Sequence, residues 1–238
     1  MSAWLFDFDN TLVALESAVD WAASRIELEQ YLRREGVGDA IFAEIPRGNL
    51  PLYEALRARL MDGAGEAAER EALGSLARKD TEALLRSASA IIEAYELRGI
   101  ERAQTLPGAT ALLRALKARN NAVAIVTSNS ARTIERWLAL QHPRLHLDAI
   151  VGRDAMLPLK PAPDSIGRAL ELCRTAPDDA FFVGDSEADA GAAGAARVRF
   201  YGIAARPLQR TRLIGVGALA VFDSPAELKN SLIFTGAT

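Results

Sequence analysis

AWLFDFDNT, residues 3–11, opens the chain with a short apolar run that leads directly into two carboxylates. A short continuous apolar run is typical of a buried strand in a parallel sheet. Asp7 and Asp9 would leave the end of this strand together, with side-chain and backbone oxygens available to a hard cation such as Mg²⁺. One carboxylate of such a pair can act as a nucleophile and the other as a proton donor. Acidic pairs are common in turns, so the interpretation depends on the rest of the chain.

Three other motifs carry polar residues, two directly after apolar runs and one in a loop between those runs. An apolar run at 122–126 leads into Thr127-Ser128-Asn129, and another at 180–183 leads into GDSEAD, residues 184–189. A loop between them carries KPAPD, residues 160–164. Because open α/β sheets bind ligands at the carboxyl ends of their strands, we expect these groups to meet at one edge. Together they supply acids, a hydroxyl and an ammonium, which are suited to holding a metal and a phosphate.

The pattern of elements predicts an α/β fold built on a parallel, doubly wound sheet. From Pro107 onward, helices alternate with short apolar strands expected at 122–127, 149–151, 180–184, 198–201 and 218–222. Residues 14–104 instead have a helical composition throughout, with helices expected from near Pro51, at 66–79 and at 80–98, the last one stopped by Gly99. We therefore predict an α/β core of residues 1–13 and 105–238, and an inserted all-helical domain of residues 14–104.

Composition narrows the class of protein. The 238 residues carry a net charge of −3, which gives no bulk attraction to nucleic acid or anionic lipid. The single Cys173 excludes an internal disulfide bond and fits a reducing compartment. We find neither an export segment nor an apolar run long enough to span a bilayer. These features predict a cytoplasmic protein without nucleic-acid or membrane partners.

The four motifs, in this order and spacing, resemble those of the haloacid dehalogenase superfamily of aspartyl phosphohydrolases, in particular the phosphoglycolate-phosphatase-like members. DFDNT resembles the first motif, Thr127 the second, Lys160 the third and GDSEAD the fourth, and the match covers residues 1–13 and 105–205. The resemblance implies a phosphoric monoester hydrolase that uses Mg²⁺. The inserted region is similar to the helical cap of the family, which could close over the catalytic edge. An inert bundle that only shields the sheet is the alternative.

The resemblance also implies a role for each motif residue. Asp7 would be the nucleophile and a metal ligand, while Asp9 would be the general acid and base and would bind Mg²⁺ through its backbone carbonyl. Thr127 and the Ser128 amide would bind the phosphoryl group. Lys160 would pair with Asp7 and with the transferring phosphoryl group, so it would serve both catalysis and phosphate binding.

The fourth motif would complete the metal site. Asp185 would be a direct Mg²⁺ ligand, and Asp189, four residues further, would orient either a metal-bound water or Lys160.

Two positions depart from the family pattern. Asn10 stands where many relatives carry Gly, although Asn tolerates a left-handed turn, and Ala14 stands where many phosphoglycolate-phosphatase-like relatives carry Asp. In the inserted region, Arg47 could reach an anionic substrate or could be an ordinary surface arginine.

These observations favour a Mg²⁺-dependent phosphatase that acts on a small phosphorylated metabolite through an aspartyl-phosphate. A phosphomutase on the same scaffold is one alternative, because it would use the same residues and return the phosphoryl group to its substrate. A non-catalytic sensor of phosphorylated ligands is a second alternative. The sequence is compatible with either a monomer or a homodimer.

Overall fold

A computed structural model describes residues 2–62 and 81–234 of the chain. The helix expected at 66–79 lies outside the described residues. Within them, no helix is both long enough and apolar enough to cross a membrane.

A six-stranded parallel sheet forms the centre of the molecule, as the sequence predicts. Its strands run in the order β5-β4-β1-β6-β7-β8. A separate antiparallel pair, β2 with β3, was not predicted and joins the two ends of the inserted region. The strand bounds are Ala3–Phe6 (β1), Val13–Ala14 (β2), Gln104–Thr105 (β3), Ala122–Val126 (β4), Ala149–Val151 (β5), Ala180–Gly184 (β6), Arg199–Ile203 (β7) and Ala220–Phe222 (β8).

Helices make up most of the remaining described chain. Four of them belong to the first hundred residues, and six alternate with the strands of the sheet. Their bounds are Trp21–Arg34 (α1), Ala40–Glu44 (α2), Asn49–Met61 (α3), Thr81–Ile100 (α4), Ala109–Ala118 (α5), Ala131–Ala139 (α6), Asp164–Cys173 (α7), Glu187–Ala195 (α8), Pro207–Gly215 (α9) and Pro225–Phe234 (α10).

Both faces of the sheet are buried, since successive strand residues point to opposite sides and every residue of β1 and β4 is buried. Leu5, Ala124 and Phe182 lie in one apolar cluster with residues of α7 and α8. On the other face, the rings of Trp4 and Phe181 stack with their centroids 4.5 Å apart. Burial on both faces explains why these strands appear in the sequence as continuous apolar runs rather than as alternating ones.

The structure corrects one sequence expectation and adds one helix. Gly99 does not stop α4, which continues to Ile100. A helical glycine costs only about 1 kcal/mol relative to alanine, and the burial of Ile100 at the helix end outweighs that cost. Helix α9 was not predicted, because only Leu213 of its nine residues is buried and its apolar pattern is correspondingly weak.

The chain divides into two compact units, residues 1–18 with 100–238, and residues 19–99. The first unit contains the sheet, and it includes residues 14–18 and 100–104, which the sequence assigned to the inserted region. The second unit is helical where it is described. Within it, Arg25 donates to the backbone oxygens of Ile45 and Gly48 at 2.5 and 2.7 Å, which fixes the loop that carries the exposed Arg47.

Candidate active site

Three adjacent strands deliver the first, second and fourth motifs to the same edge of the sheet. Phe6, the last residue of β1, is level with Ile125 of β4 and with Val183 of β6. The residues that follow these strands, Asp7, Thr127 and Asp185, therefore emerge side by side. The sheet order explains how motifs more than 50 residues apart in sequence form one site.

Lys160 connects the first and fourth motifs. Its ammonium lies 2.5 Å from Asp7 Oδ1 and 2.6 Å from Asp189 Oδ1. All three side chains are buried, with at most 9% of each exposed. A buried charge is tolerated only when it is paired and hydrogen-bonded, so these contacts hold the three groups in a fixed arrangement.

Asp189 uses its second carboxylate oxygen to build the start of α8. Oδ2 accepts hydrogen bonds from the backbone N–H of Asp185 and Ser186 and from the Ser186 hydroxyl, at 3.2, 3.0 and 2.7 Å. The Ser186 hydroxyl in turn accepts from the Asp189 N–H, which completes a capping box. Gly184 is required here because a Cβ atom at that position would lie 2.6 Å from Asp189 Oδ2.

The turn after β1 separates the two carboxylates of the first motif. Phe8 between them is fully buried and packs edge-to-face on Trp137. Asp9 Oδ1 accepts hydrogen bonds from the N–H groups of Leu15 and Glu16, both at 2.9 Å. Asn10 has a φ of 56°, the left-handed conformation that the sequence analysis allowed for this residue.

The segment after β4 is fixed by the turn that follows β5. The Thr127 hydroxyl donates to Asn129 Oδ1 at 3.0 Å and accepts from the Asn129 N–H at 3.1 Å. The buried guanidinium of Arg153 donates to the backbone oxygen of Ser128 at 2.8 Å, and Ser130 caps α6. Thr127 and Ser128 are thus held at the edge where a phosphate would bind, while their predicted contacts with it remain a prediction.

Burial changes the protonation of the acids in this site. It raises the pKa of Asp7 to about 7, although the contact with Lys160 opposes the rise. Burial, reinforced by the charges of Asp7 and Asp189, raises the pKa of Asp185 to about 8. Burial also raises the pKa of Asp9 to about 6, although hydrogen bonds from the N–H groups of Glu16 and Leu15 oppose the rise. For Lys160, burial alone would lower the pKa, but the carboxylates of Asp189 and Asp7 outweigh it and raise the pKa.

The acids are close enough to hold one metal ion. Oxygens from Asp7, Asp185 and Asp189 lie within 4.8 Å of one another. A donor set made only of carboxylate oxygens suits a hard cation such as Mg²⁺ rather than a thiophilic one. Both oxygens of Asp189 are already engaged, one by Lys160 and the other by the start of α8. Asp7 also pairs with Lys160 through Oδ1, and its Oδ2 lies 3.5 Å from the Thr11 hydroxyl. Direct binding of the ion by Asp7 and Asp185 therefore stays a prediction.

Gln209, on the unpredicted helix α9, was missed by the sequence analysis. Its side-chain amide donates to the backbone oxygen of Asp185 at 2.7 Å and lies 3.3 Å from Asp185 Oδ2. The sequence signals near it are Pro207 at the first helical position, Gly215 at the end of the helix and Gly217 just after it. The contact makes Gln209 a neighbour of the predicted metal site.

Comparison with known proteins assigns the chain to a family. The model of the haloacid dehalogenase-like hydrolases matches residues 1–197. A phosphoglycolate phosphatase of Rhodospirillum rubrum is 32% identical over 212 residues, covering 84% of this chain and 85% of that protein. Pyrophosphatase PpaX of Bacillus cereus is 35% identical over 77 residues, covering 32% of this chain and 36% of that protein.

Solved structures share the fold. A hydrolase from Pseudomonas syringae superposes with a TM-score of 0.61 at 24% identity, covering 98% of this chain and 99% of that one. CbbY from Rhodobacter sphaeroides, solved in complex with phosphate, gives a TM-score of 0.56 at 22% identity and covers 96% of both chains. These likenesses confirm the expected α/β fold, and the family match confirms the expected hydrolase class. The chain belongs to the haloacid dehalogenase-like hydrolase family.

Proposed function

We propose that this hydrolase is a Mg²⁺-dependent phosphatase that cleaves a small phosphorylated metabolite through an aspartyl-phosphate intermediate. The observation that carries the proposal is the buried contact of Lys160 with both Asp7 and Asp189, beside Asp185, at the carboxyl edge of the sheet. The named relatives support the choice of substrate, since one is a phosphoglycolate phosphatase and another a pyrophosphatase. Phosphoglycolate is therefore the first compound to test.

In the first step, a carboxylate oxygen of Asp7 attacks phosphorus, and the bond from phosphorus to the ester oxygen breaks. The Lys160 ammonium, 2.5 Å from Asp7, balances the negative charge of the carboxylate and of the incoming phosphoryl group. The Thr127 hydroxyl, turned away from Asn129 Oδ1, and the Ser128 N–H would donate to phosphoryl oxygens. Asp9 would give its proton to the leaving oxygen.

In the second step, Asp9 takes a proton from water, and the water oxygen attacks phosphorus to release Asp7 and inorganic phosphate. A pKa of about 6 allows one carboxyl group to act as acid and then as base near neutral pH. The carboxylates of Asp7 and Asp185 and the backbone oxygen of Asp9 would hold Mg²⁺. The bound ion would neutralise charge on the phosphoryl oxygens.

We also propose that the inserted helical region, residues 14–104, is a cap that selects substrates. Its place in the chain, between β1 and the remaining strands of the sheet, supports this proposal, as does membership of the family. A variant with residues 19–99 replaced by a short Gly-Ser linker should still hydrolyse an aryl phosphate but lose selectivity among metabolites. Unchanged selectivity in a folded variant would contradict the cap role.

The function is tested by incubating the protein with p-nitrophenyl phosphate and with 2-phosphoglycolate, with and without EDTA. We expect phosphate release that EDTA abolishes and Mg²⁺ restores. Full activity after rigorous metal removal would refute metal dependence. Conversion of a sugar phosphate to its isomer without release of free phosphate would instead identify a phosphomutase, and no turnover of any phosphate ester would favour a sensor.

A further inference from the structure

A cleft of about 380 Å³ opens beside Asp185 and is not used by the mechanism above. Arg206, Leu208, Gln209 and Arg212 line one side of it, all from α9 and the residue that precedes that helix. Asp185 lines the cleft and also belongs to the acidic cluster with Asp7. A molecule bound at the cluster could therefore extend into the cleft.

The sheet order places the cleft at the catalytic edge. Strand β7 is parallel to β6 and hydrogen-bonded to it, and Gly202 of β7 is level with Gly184 of β6. Arg206 thus follows β7 at the same edge at which Asp185 follows β6. Open parallel sheets bind their ligands outside this edge, so Arg206 lies at the same edge as the proposed catalytic acids.

The arginines of α9 differ in what they contact. Arg210 donates to Asp223 at 2.5 Å and to the backbone oxygen of Val221 at 2.7 Å, so its role is structural. Arg206 and Arg212 are exposed at the cleft, and no carboxylate among the described residues pairs with either guanidinium. Two unpaired guanidiniums facing one cleft favour an anionic ligand, because a guanidinium binds carboxylate and phosphate with matched pairs of hydrogen bonds.

We propose that this cleft is an anion-binding subsite, in which Arg206 and Arg212 bind a second acidic group of the substrate, either a carboxylate or a second phosphate. The proposal rests on the proposed function, since it assumes that the phosphate ester is cleaved at Asp7. Asp185 and Glu187 also bring negative charge to the cleft. A metal ion at Asp185 would balance the carboxylate of that residue, and the two guanidiniums would then outnumber the remaining carboxylate of Glu187.

The test compares two phosphate esters that differ only in the second group, together with one phosphoanhydride. 2-Phosphoglycolate carries a carboxylate, 2-hydroxyethyl phosphate carries a neutral hydroxyl, and inorganic pyrophosphate carries a second phosphate. The ratio of kcat/KM for each acidic compound to that for the neutral one is measured for wild type and for Arg206→Ala/Arg212→Ala. We expect the ratio for the preferred acidic compound to fall about tenfold, on the scale of losing two solvent-exposed charge contacts.

Control variants separate the subsite from general effects. Arg168→Ala/Lys229→Ala removes the same charge from α7 and α10 and should leave all ratios unchanged. Arg206→Glu/Arg212→Glu should lower the ratio further, and Arg206→Lys/Arg212→Lys should restore only part of it, because lysine keeps the charge but not the paired hydrogen bonds. Equal ratios in wild type and in the alanine and glutamate variants would overturn the proposal, as would an equal loss in the control.

Binding keeps this test separate from the proposed function. Titration calorimetry with Asp7→Asn protein gives dissociation constants for the same compounds without turnover. If wild type hydrolyses neither these compounds nor any other phosphate ester, p-nitrophenyl phosphate included, the phosphatase proposal fails, while tighter binding of an acidic compound that depends on Arg206 and Arg212 would still support the subsite. Binding that is indifferent to these arginines would contradict the subsite even in an active phosphatase.

Discussion

Asp189 holds the Lys160 ammonium at 2.6 Å with one carboxylate oxygen, while its other oxygen accepts three hydrogen bonds at the start of α8. One buried side chain therefore links the loop that carries the lysine to the loop that carries Asp185. The sequence analysis left two roles open for Asp189, orienting a metal-bound water or orienting Lys160. The structure shows the contact with Lys160.

Asp189→Asn should lower kcat by about 10²-fold, because an amide cannot balance the ammonium and Lys160 would move toward Asp7. The substitution should also lower the free energy of unfolding, since it weakens both an ion pair and a capping box. Steady-state kinetics and urea unfolding measure the two effects.

Ser186→Ala is the matched control for Asp189→Asn. It removes the cap hydroxyl but leaves the Lys160–Asp189 contact intact, at a cost of about 1 kcal/mol in stability. Its kcat should stay within about threefold of wild type, because no charge in the site changes. A Ser186→Ala enzyme as slow as Asp189→Asn would assign the loss to the helix start rather than to the lysine.

Gln209→Leu should weaken metal binding by about tenfold, on the scale found for side chains that orient a metal ligand. The glutamine amide holds the backbone of Asp185 and lies near its carboxylate, so leucine would free both. Mn²⁺ binding followed by electron paramagnetic resonance reports affinity without any turnover. Thr211→Ala serves as the control on the same helix, because its hydroxyl bonds only to Pro207 within the described chain. Equal affinities in both variants would exclude a positioning role for Gln209.

The metal-free protein should become less stable as pH rises from about 5 to about 8. The native pKa values of Asp9, Asp7 and Asp185, about 6, 7 and 8, lie above the value of 3.8 expected when these acids are unfolded. The native state therefore binds more protons across this range, and its advantage is lost as the acids ionise. Lys160 does not contribute, because its raised pKa affects stability only in strongly basic solution.

Urea unfolding in EDTA at several pH values checks this prediction, and Asp185→Asn should flatten the slope. Added Mg²⁺ should stabilise the protein more at about pH 8 than at about pH 5, because protons compete with the metal for the same oxygens. Stability that rises with pH in EDTA would contradict the assigned pKa directions.

The sequence predicted those elements whose signal lies in a few consecutive residues and missed those that depend on contacts between distant residues. The strands were predictable because burial on both faces makes each one a continuous apolar run, and the edge that holds Asp7, Thr127 and Asp185 follows from parallel order. The short β2–β3 pair was not predictable, because it joins residues about 90 positions apart and Gln104 and Thr105 are exposed. Such a pairing has no periodic signature.

Helix α9 was missed because a helix without a buried apolar face has no apolar periodicity in its sequence. Leu208 and Ile214 are 66% and 59% exposed, so its apolar residues do not mark a buried face. Gln209 acts through a neutral amide on a backbone oxygen, a contact that needs no motif and no charge. The consequence for the site is direct, because the residues beside Asp185 that sequence reasoning missed all lie on this helix or next to it.

The last prediction distinguishes the two carboxylates of the first motif, which share their chemistry but not their contacts. Asp7 Oδ1 lies 2.5 Å from the Lys160 ammonium, whereas Asp9 Oδ1 accepts hydrogen bonds from two backbone N–H groups of the loop. Asp7→Asn should remove the covalent intermediate altogether, since an amide does not attack phosphorus. Asp9→Asn should slow turnover by about 10²–10⁴-fold, the usual contribution of a general acid and base.

The choice of substrate sharpens this distinction between Asp7 and Asp9. An aryl phosphate has a good leaving group and needs little protonation, so Asp9→Asn should phosphorylate Asp7 nearly as wild type does. Breakdown still needs a base to activate water, so the phosphoenzyme should accumulate in this variant. Rapid quench and mass spectrometry of the peptide that contains residues 3–11 locate the phosphate. Label on Asp9, or a fully active Asp7→Asn enzyme, would reverse the two assignments.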